Sequence, residues 1–361
     1  MSTVRLAAVG DIMCGESFYR YGRGPRTHLR YAGIDYLAPS VRSILGSHQV
    51  VLGNVECPLS DVGYHRWSLR RHHMRGTPEV AALLADWGFN AVTLANNHIL
   101  EHGLAAARDT ADSLTAAGIA VAGAGPNHDF ESGPGLARLT RGGLRIAVIG
   151  ACLLLEKYAF NGGLTPDALV RAVSELTCDS DIIIVMVHWG MEFCSLPDEE
   201  QRHLARRLVA AGATAIIGSH PHVVQGVEII DDALVAYSLG NFIFDQPLPE
   251  TRIGAILSCD IIQRRVVDCT LVPVVLNEMH SPVLADGDEQ RRLQVEFAEL
   301  RDTLGEHSEV DYRQARDVAT TRERRFREQL RCCLRHTMIQ SGPLFALQAL
   351  ARPIARRLNM W

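Results

Sequence analysis

Residues 216–226, IIGSHPHVVQG, set two imidazoles, His220 and His222, directly after an apolar run. Ile216 and Ile217 read as the close of a buried strand, and Gly218 lets the chain turn there. Such a pair could be no more than a satisfied surface turn, so its meaning depends on what stands at comparable positions elsewhere. Asp11 follows LAAVG, Glu56 follows VVLGNV, Asn97 and His98 follow AVTLAN, and His188 follows IIIVMV. Each of these can ligate a metal or move a proton, and each stands where an apolar strand stops. The carboxyl ends of strands in open α/β sheets form the crevice where ligands bind, so residues remote in sequence can meet there. Carboxylate, amide oxygen and imidazole together suit Mn, Fe or Zn better than Ca or Mg. Gly10, Gly53, Gly190 and Gly218 would let the backbone turn sharply beside them. Singly, Asp11 could cap a helix, Asn97 bridge a loop and His188 be an ordinary buried histidine. A metal centre accounts for all of them together.

The elements that must position these residues follow an α/β rhythm. VRLAAVGD, VVLGNVE, AVTLANNH, LRIAVIGA, DIIIVMVHW and TAIIGSH read as buried strands. Amphipathic stretches lie between several of them: Pro78 to Trp87, Leu104 to Ala117, Pro166 to Leu176 and Asp198 to Ala211. Two open with Pro in the first turn and three stop at Gly, the expected asymmetry of helix ends. From Ala233 strand follows strand, in ALVAYSLGNFIF, GAILSCDIIQ and RRVVDCTLVPVVL, which predicts an antiparallel hairpin finishing the fold. After about Asp286 the chain turns charged and helical, with Phe326, Leu330, Leu334 and Met338 at helical spacing and a second basic piece broken near Pro353. The expected organisation is one domain over 1–285 and a helical, arginine-rich extension over 286–361. That extension should pack back on the domain or on a second subunit, giving a homo-oligomer through these helices.

Bulk composition excludes several functions. At 361 residues, 47% hydrophobic and 21% charged with a formal net charge of −5, the chain carries no global signal for nucleic acid or membrane. The arginine-rich tail lacks the interleaved aromatics of a nucleic-acid platform. Nine scattered cysteines with no CxxC spacing argue against a disulfide framework or a structural zinc knuckle. No apolar run reaches the length of a transmembrane span and MSTVRLAAVGD has no signal-peptide pattern, so the expectation is a cytoplasmic protein.

The order of the motifs GD, GNxE, NNH, HWGxE, SHPHxxQGxE and YSLGNFxFD resembles the CapA family of capsule and poly-γ-glutamate biosynthesis proteins, within the calcineurin-like metallophosphoesterase superfamily. The likeness spans roughly residues 3 to 276. It implies an α/β fold with a four-layer α/β/β/α sandwich and the metal site at the strand ends. Carried over residue by residue, it implies that Asp11 and His222 bind a first metal, that Glu56 bridges, and that Asn97, His188 and His220 complete a second. His98 would be the catalytic imidazole, with Glu101 one helical turn later orienting it. Two positions depart from the superfamily pattern: Met13 stands where a histidine would be, and Glu56 where an aspartate would be. The first site is therefore short of ligands, so one divalent ion or two are expected.

Metal-activated water would attack a phosphoester or an amide equally well, because both pass through a centre that gains negative charge on oxygen. The basic stretch HRWSLRRHHMRG, residues 65–76, could grip a small anionic substrate through Arg70, Arg71, His73 and Arg75. Glu192, Glu228 and Asn241 fall in the motifs and are further candidates for substrate contact. The alternative to a hydrolase is an accessory factor of acidic polymer assembly.

Overall fold

The computed structural model describes residues 2–64, 73–125, 128, 130, 135–154, 164–306 and 309–341. The chain begins with β1 (Thr3–Ile12), α1 (Pro25–Ala32), α2 (Pro39–Gly46), β2 (Val50–Val55), α3 (Val80–Asp86), β3 (Ala91–Thr93), α4 (Leu104–Ala116) and β4 (Ala120–Ala122). It continues with β5 (Gly135–Arg141), β6 (Leu144–Cys152), α5 (Pro166–Leu176), β7 (Ile182–His188), α6 (Glu199–Ala210), β8 (Ala215–Ser219), β9 (Val227–Ile230) and β10 (Ala233–Ala236). β11 (Asn241–Ile243), β12 (Ile253–Ile262), β13 (Arg265–Leu276), β14 (Pro282–Leu284), α7 (Gly287–Glu306) and α8 (Glu309–Ser341) follow.

Among the described residues the strands form two sheets. The first runs β14-β13-β12-β1-β2-β3-β4, with β11 paired to the far end of β1; the second runs β5-β6-β7-β8-β10-β9. β1 to β4 are parallel, as are β6, β7, β8 and β10, so their carboxyl ends share an edge within each sheet.

Strand residues alternate between two cores because successive side chains point to opposite faces. In β7, Ile182, Ile184 and Met186 face the core between the sheets, while Ile183, Val185 and Val187 face the core under α5 and α6. In β1, Leu6 and Ala8 join the inter-sheet core, and Ala7 and Val9 join the outer core with Val41, Leu84 and Leu114 of the helices. A strand covered on both faces needs apolar residues at nearly every position, and each buried Ile or Val contributes roughly 1.5–3 kcal/mol relative to exposure. Three apolar layers between four layers of backbone make the α/β/β/α sandwich.

Helix ends follow local chemistry. α6 opens on a capping box in which Gln201 N–H donates to Asp198 Oδ1 (2.7 Å) and Asp198 N–H to Gln201 Oε1 (3.0 Å). α5 opens with Thr165 as cap and Pro166 in the first turn.

Two expectations change. The stretch ALVAYSLGNFIF is not one arm of a hairpin: β10 pairs parallel with β8 in the second sheet, and β11 pairs with β1 in the first. Residues 237–240 cross between the sheets, and the closing antiparallel hairpin is made by β12 and β13. The helical tail also splits. α7 lies on the sandwich, with Phe297 in the inter-sheet core and Leu304 in the core under α6, whereas Tyr312, Ala315, Ala319 and Phe326 of α8 pack around Phe193 and Leu248. No helix among the described residues is long and apolar enough to cross a membrane. Arg70, Arg71 and the segment from 342 onward lie outside the described residues.

Candidate metal centre

Five parallel strands deliver their last residues to one place. Asp11 is near the end of β1, Glu56 follows β2, Asn96 to His98 follow β3, His188 ends β7, and His220 and His222 follow β8. The close approach of β11 to β1 brings Asn241 opposite Asp11 and requires Gly10, where a Cβ would lie 1.8 Å from the Gly240 carbonyl oxygen. Gly218 is needed for the same reason, its Cβ position lying 1.9 Å from the Tyr237 oxygen.

Glu56 sits at the middle, fully buried, and its Oε1 has no hydrogen-bond partner. Three imidazole nitrogens surround that oxygen: Nε2 of His188 and of His222 at 3.8 Å, and Nε2 of His98 at 4.0 Å. These separations are too long for hydrogen bonds. Those of His188 and His222 suit donors sharing a cation, since two atoms each ~2.1 Å from one ion stand roughly 3–4 Å apart. Three sets of side chains, Glu56 with His188 and His220, Asp11 with Glu56 and His222, and Glu192 with His220 and His222, can each bring ligand atoms within 4.8 Å of one another. The residues present therefore fit a borderline divalent ion.

The rings are held by their other nitrogens. His188 Nδ1 lies 2.9 Å from Ser219 Oγ, and the hydroxyl in turn reaches the Val187 carbonyl at 3.4 Å. That leaves His188 Nε2 beside Asn97 Oδ1 at 3.1 Å, two candidate ligands side by side. His222 Nδ1 lies 2.9 Å from Asn241 Oδ1. Asn241 can face the ring only this way, because its Nδ2 already donates to Gln246 Oε1 (3.1 Å) and the Thr251 carbonyl (2.9 Å). Such outer partners fix the tautomer and aim the free nitrogen.

Burial drives the electrostatics. It raises the Glu56 carboxyl, and the neighbouring Asp11 adds to the effect. It lowers His188 and His220, each further depressed by nearby imidazoles, and it takes His98 down to about 4 against the pull of Glu101. Burial alone would lower His222 too, but the hydrogen bond and charge of Asp11 outweigh it and raise the ring. The neutral imidazole is the form that ligates, so His188 and His220 are ligand-ready near neutral pH.

Several residues singled out in the sequence have other or further partners. Glu101 follows His98 on a turn, its N–H donating to the His98 carbonyl at 2.9 Å, and not on a helix, because α4 begins only at Leu104; its charge favours the His98 imidazolium while its carboxylate pairs with His73 Nε2 at 3.5 Å. His73 stands on the same rim, its ring 5.4 Å from that of Phe18. Arg75 is 1% exposed beside Arg26, Asp61 and Tyr64, so its guanidinium is part of the interior and not a grip on solvent. Glu228 accepts from the Tyr237 hydroxyl at 2.6 Å and lines a separate cavity of about 550 Å³ with Phe297 and Arg301. Asn241, expected at the substrate, instead aims His222.

Sequence reasoning passed over Asn54, Asn96 and Ser219. Asn54 Nδ2 donates to Asp11 Oδ1 (2.8 Å), lies 3.3 Å from Glu56 Oε2, and its Oδ1 accepts from Asn96 Nδ2 at 3.0 Å. Asn96 Oδ1 accepts from the backbone of His98 and Ile99, which shapes the turn carrying Asn97 and His98. Both asparagines sit inside motifs already noted, GNxE and NNH, and polar residues that interrupt an apolar strand are the signal that could have found them.

Comparison with known proteins fits this geometry. The family described as bacterial capsule synthesis protein PGA_cap matches residues 5–246. The capsule biosynthesis protein CapA of Bacillus anthracis is 28% identical over 300 residues, covering 79% of this chain and 71% of that one. The PGA biosynthesis protein CapA of Bacillus subtilis is 28% identical over 293 residues, covering 79% of this chain and 75% of that one. A crystal structure of a novel phosphatase from Mycoplasma pneumoniae superposes with a TM-score of 0.52 over 76% of this chain and 94% of that chain, at 13% identity, a likeness of fold alone. With two thirds of its length under the family profile, the chain belongs to the PGA_cap family of bacterial capsule synthesis proteins.

Proposed function

We propose that the chain is a metal-dependent hydrolase acting on a phosphoester or amide bond of a small anionic substrate, with residues 1–285 carrying the chemistry and the helices from 286 onward framing it. The observation that carries this reading is Glu56 Oε1, a buried carboxylate oxygen with no hydrogen-bond partner and with Nε2 of His188 and of His222 each at 3.8 Å. In this reading Asp11, Glu56 and His222 hold one ion, and Glu56, Asn97, His188 and His220 hold another, the donor set suiting Mn, Fe or Zn. When bound, such ions polarise the substrate oxygen and bring the pKa of water towards ~7.

The protein's own groups do the remaining work. Asn54 donates to Asp11 and stands against Glu56, which lets two carboxylates sit together at less cost. Ser219 and Asn241 keep the ligand rings aimed. His98, with 24% of its side chain open, is the group available to handle the leaving-group proton. It is neutral at pH 7 in the free protein, and an anionic substrate beside it raises its proton affinity. His73 and Glu101 form the adjoining rim.

The test is a metal-supplemented screen of phosphoesters beside γ-glutamyl and other amides, run on the wild type, H188A and H98A. Metal-dependent turnover is expected in the wild type. H188A should lose metal and turnover together, whereas H98A should keep metal and lose about 10²–10⁴-fold in rate. Equal metal loss in both variants would reject the two roles. A metal-loaded protein inert towards every substrate would favour an accessory part in poly-γ-glutamate assembly, the biosynthesis that the relatives are named for.

A further inference from the structure

The set made by Asp11, Glu56 and His222 offers three side chains, and Met13, fully buried in the outer hydrophobic core, adds none. Glu192 lies within reach of the same histidine: its carboxylate, His220 and His222 can bring ligand atoms within 4.8 Å of one another. No hydrogen-bond donor among the described residues reaches this half-buried carboxylate, and the buried Nδ1 of His220, a residue 6% exposed, has no partner either. A carboxylate that accepts no hydrogen bond, beside two imidazoles one of which keeps a buried unpartnered nitrogen, is a donor set that a cation would complete.

The backbone keeps them together. Phe193 N–H donates to the Pro221 carbonyl at 2.8 Å, Trp189 N–H to the Ser219 carbonyl at 3.1 Å, and Gln225 Nε2 to the Cys194 carbonyl at 2.9 Å. The turn after β7 is thereby tied to the turn after β8. Gly190, Phe193, His220 and His222 all adopt positive φ (81°, 63°, 100° and 58°), conformations that persist only where the surroundings enforce them. The backbone that carries the carboxylate and the imidazoles is thereby set without an ion.

We infer that Glu192 is a metal ligand, not a substrate contact, supplying the ion on the His222 side with a fourth protein group beside Asp11, Glu56 and His222. This inference rests on the metal-dependent reading above. It also sets the charge of the centre: three carboxylates against two divalent ions leave one net positive charge, which attracts an anionic substrate.

The experiment uses the full chain, stripped with chelator and titrated with Mn²⁺, followed by calorimetry and by the electron paramagnetic resonance of unbound Mn²⁺, on wild type, E192Q and E192D. The wild type should take up two ions. E192Q, nearly isosteric, should keep one step and weaken the other by about 10–100-fold or more, while E192D, which retains a shorter carboxylate, should fall between. Thermal melts in chelator establish that the variants fold. Two unchanged steps in E192Q overturn the role of Glu192 and leave the hydrolase reading standing. A wild type that binds no Mn²⁺ overturns both.

Discussion

The strand-end cluster and α8 meet around Phe193 and Glu192, yet they are held in place by different physics. The Phe326 ring of α8 lies 5.3 Å from Phe193, whose ring lies 6.4 Å from His222. Within the cluster, position comes from sheet register and from backbone bonds between residues more than 200 apart, such as Asp11 N–H to the Gly240 carbonyl at 3.0 Å. α8 is docked by a small apolar patch, by Arg322 Nη1 donating to the Phe193 carbonyl at 2.9 Å, and by half-exposed pairs such as Arg325 with Glu250 at 3.0 Å. Register admits only discrete choices, since a slip by one residue turns every side chain to the other face. Surface docking admits many. The cluster is accordingly rigid without a ligand, and α8 is the region that can differ between relatives at little cost.

That contrast can be attacked from both sides. Removing support beneath the cluster should hurt most: Ile184→Ala opens a cavity between the sheets and should cost about 2–5 kcal/mol in urea unfolding. Acid comes next. Folded His98 titrates at about 4, below its ordinary 6.5, so the unfolded chain binds the proton first. The metal-free protein should therefore lose stability as pH falls from about 6.5 to 4, by on the order of 3 kcal/mol or less from this residue. His188 and His220 act in the same direction, and His222, raised by Asp11 against its burial, opposes them. His98→Asn should flatten the slope, and an unaltered slope would show that burial of this ring is not its source.

Asn54→Ala should leave Asp11 Oδ1 without its donor and weaken Mn²⁺ uptake by about 10–100-fold, with the melting temperature measured in chelator far less affected. Phe326→Ala should lower stability by about 1–2 kcal/mol, since the ring is half-buried, and leave Mn²⁺ affinity unchanged. A fall in affinity there would erase the distinction between the two regions. Arg325→Ala should be the mildest, under ~1 kcal/mol, as expected for a surface ion pair.

What the sequence discloses follows the same division. Where an apolar run stops is a one-dimensional fact, so the strand ends and the polar residues on them can be read directly. Asn54 was passed over because it interrupts a strand and does not end one. Glu101 follows His98 on a hydrogen-bonded turn and not on a helix, since α4 starts at Leu104, yet its charge still bears on the imidazole. Glu228 and Asn241 share motifs with the ligands, but their partners, Tyr237 and the pair Gln246 and Thr251, are set by tertiary packing that no spacing reveals. The crossing of 237–240 between sheets is equally silent, since β10 and β11 look alike as apolar segments.

The neighbour of β1 has a consequence for how the protein is made. β1 pairs with β2 on one side, but on the other with β12, Thr3 against Ile262. On the ribosome, every candidate ligand has been synthesised by His222, while the outer edge of β1 must wait for residues 253–262. A chain halted in that interval carries the whole donor set on a sheet with a bare rim, the kind of rim that recruits foreign strands. β12 covers β1, and its hairpin partner β13 must follow before that side of the sheet is closed.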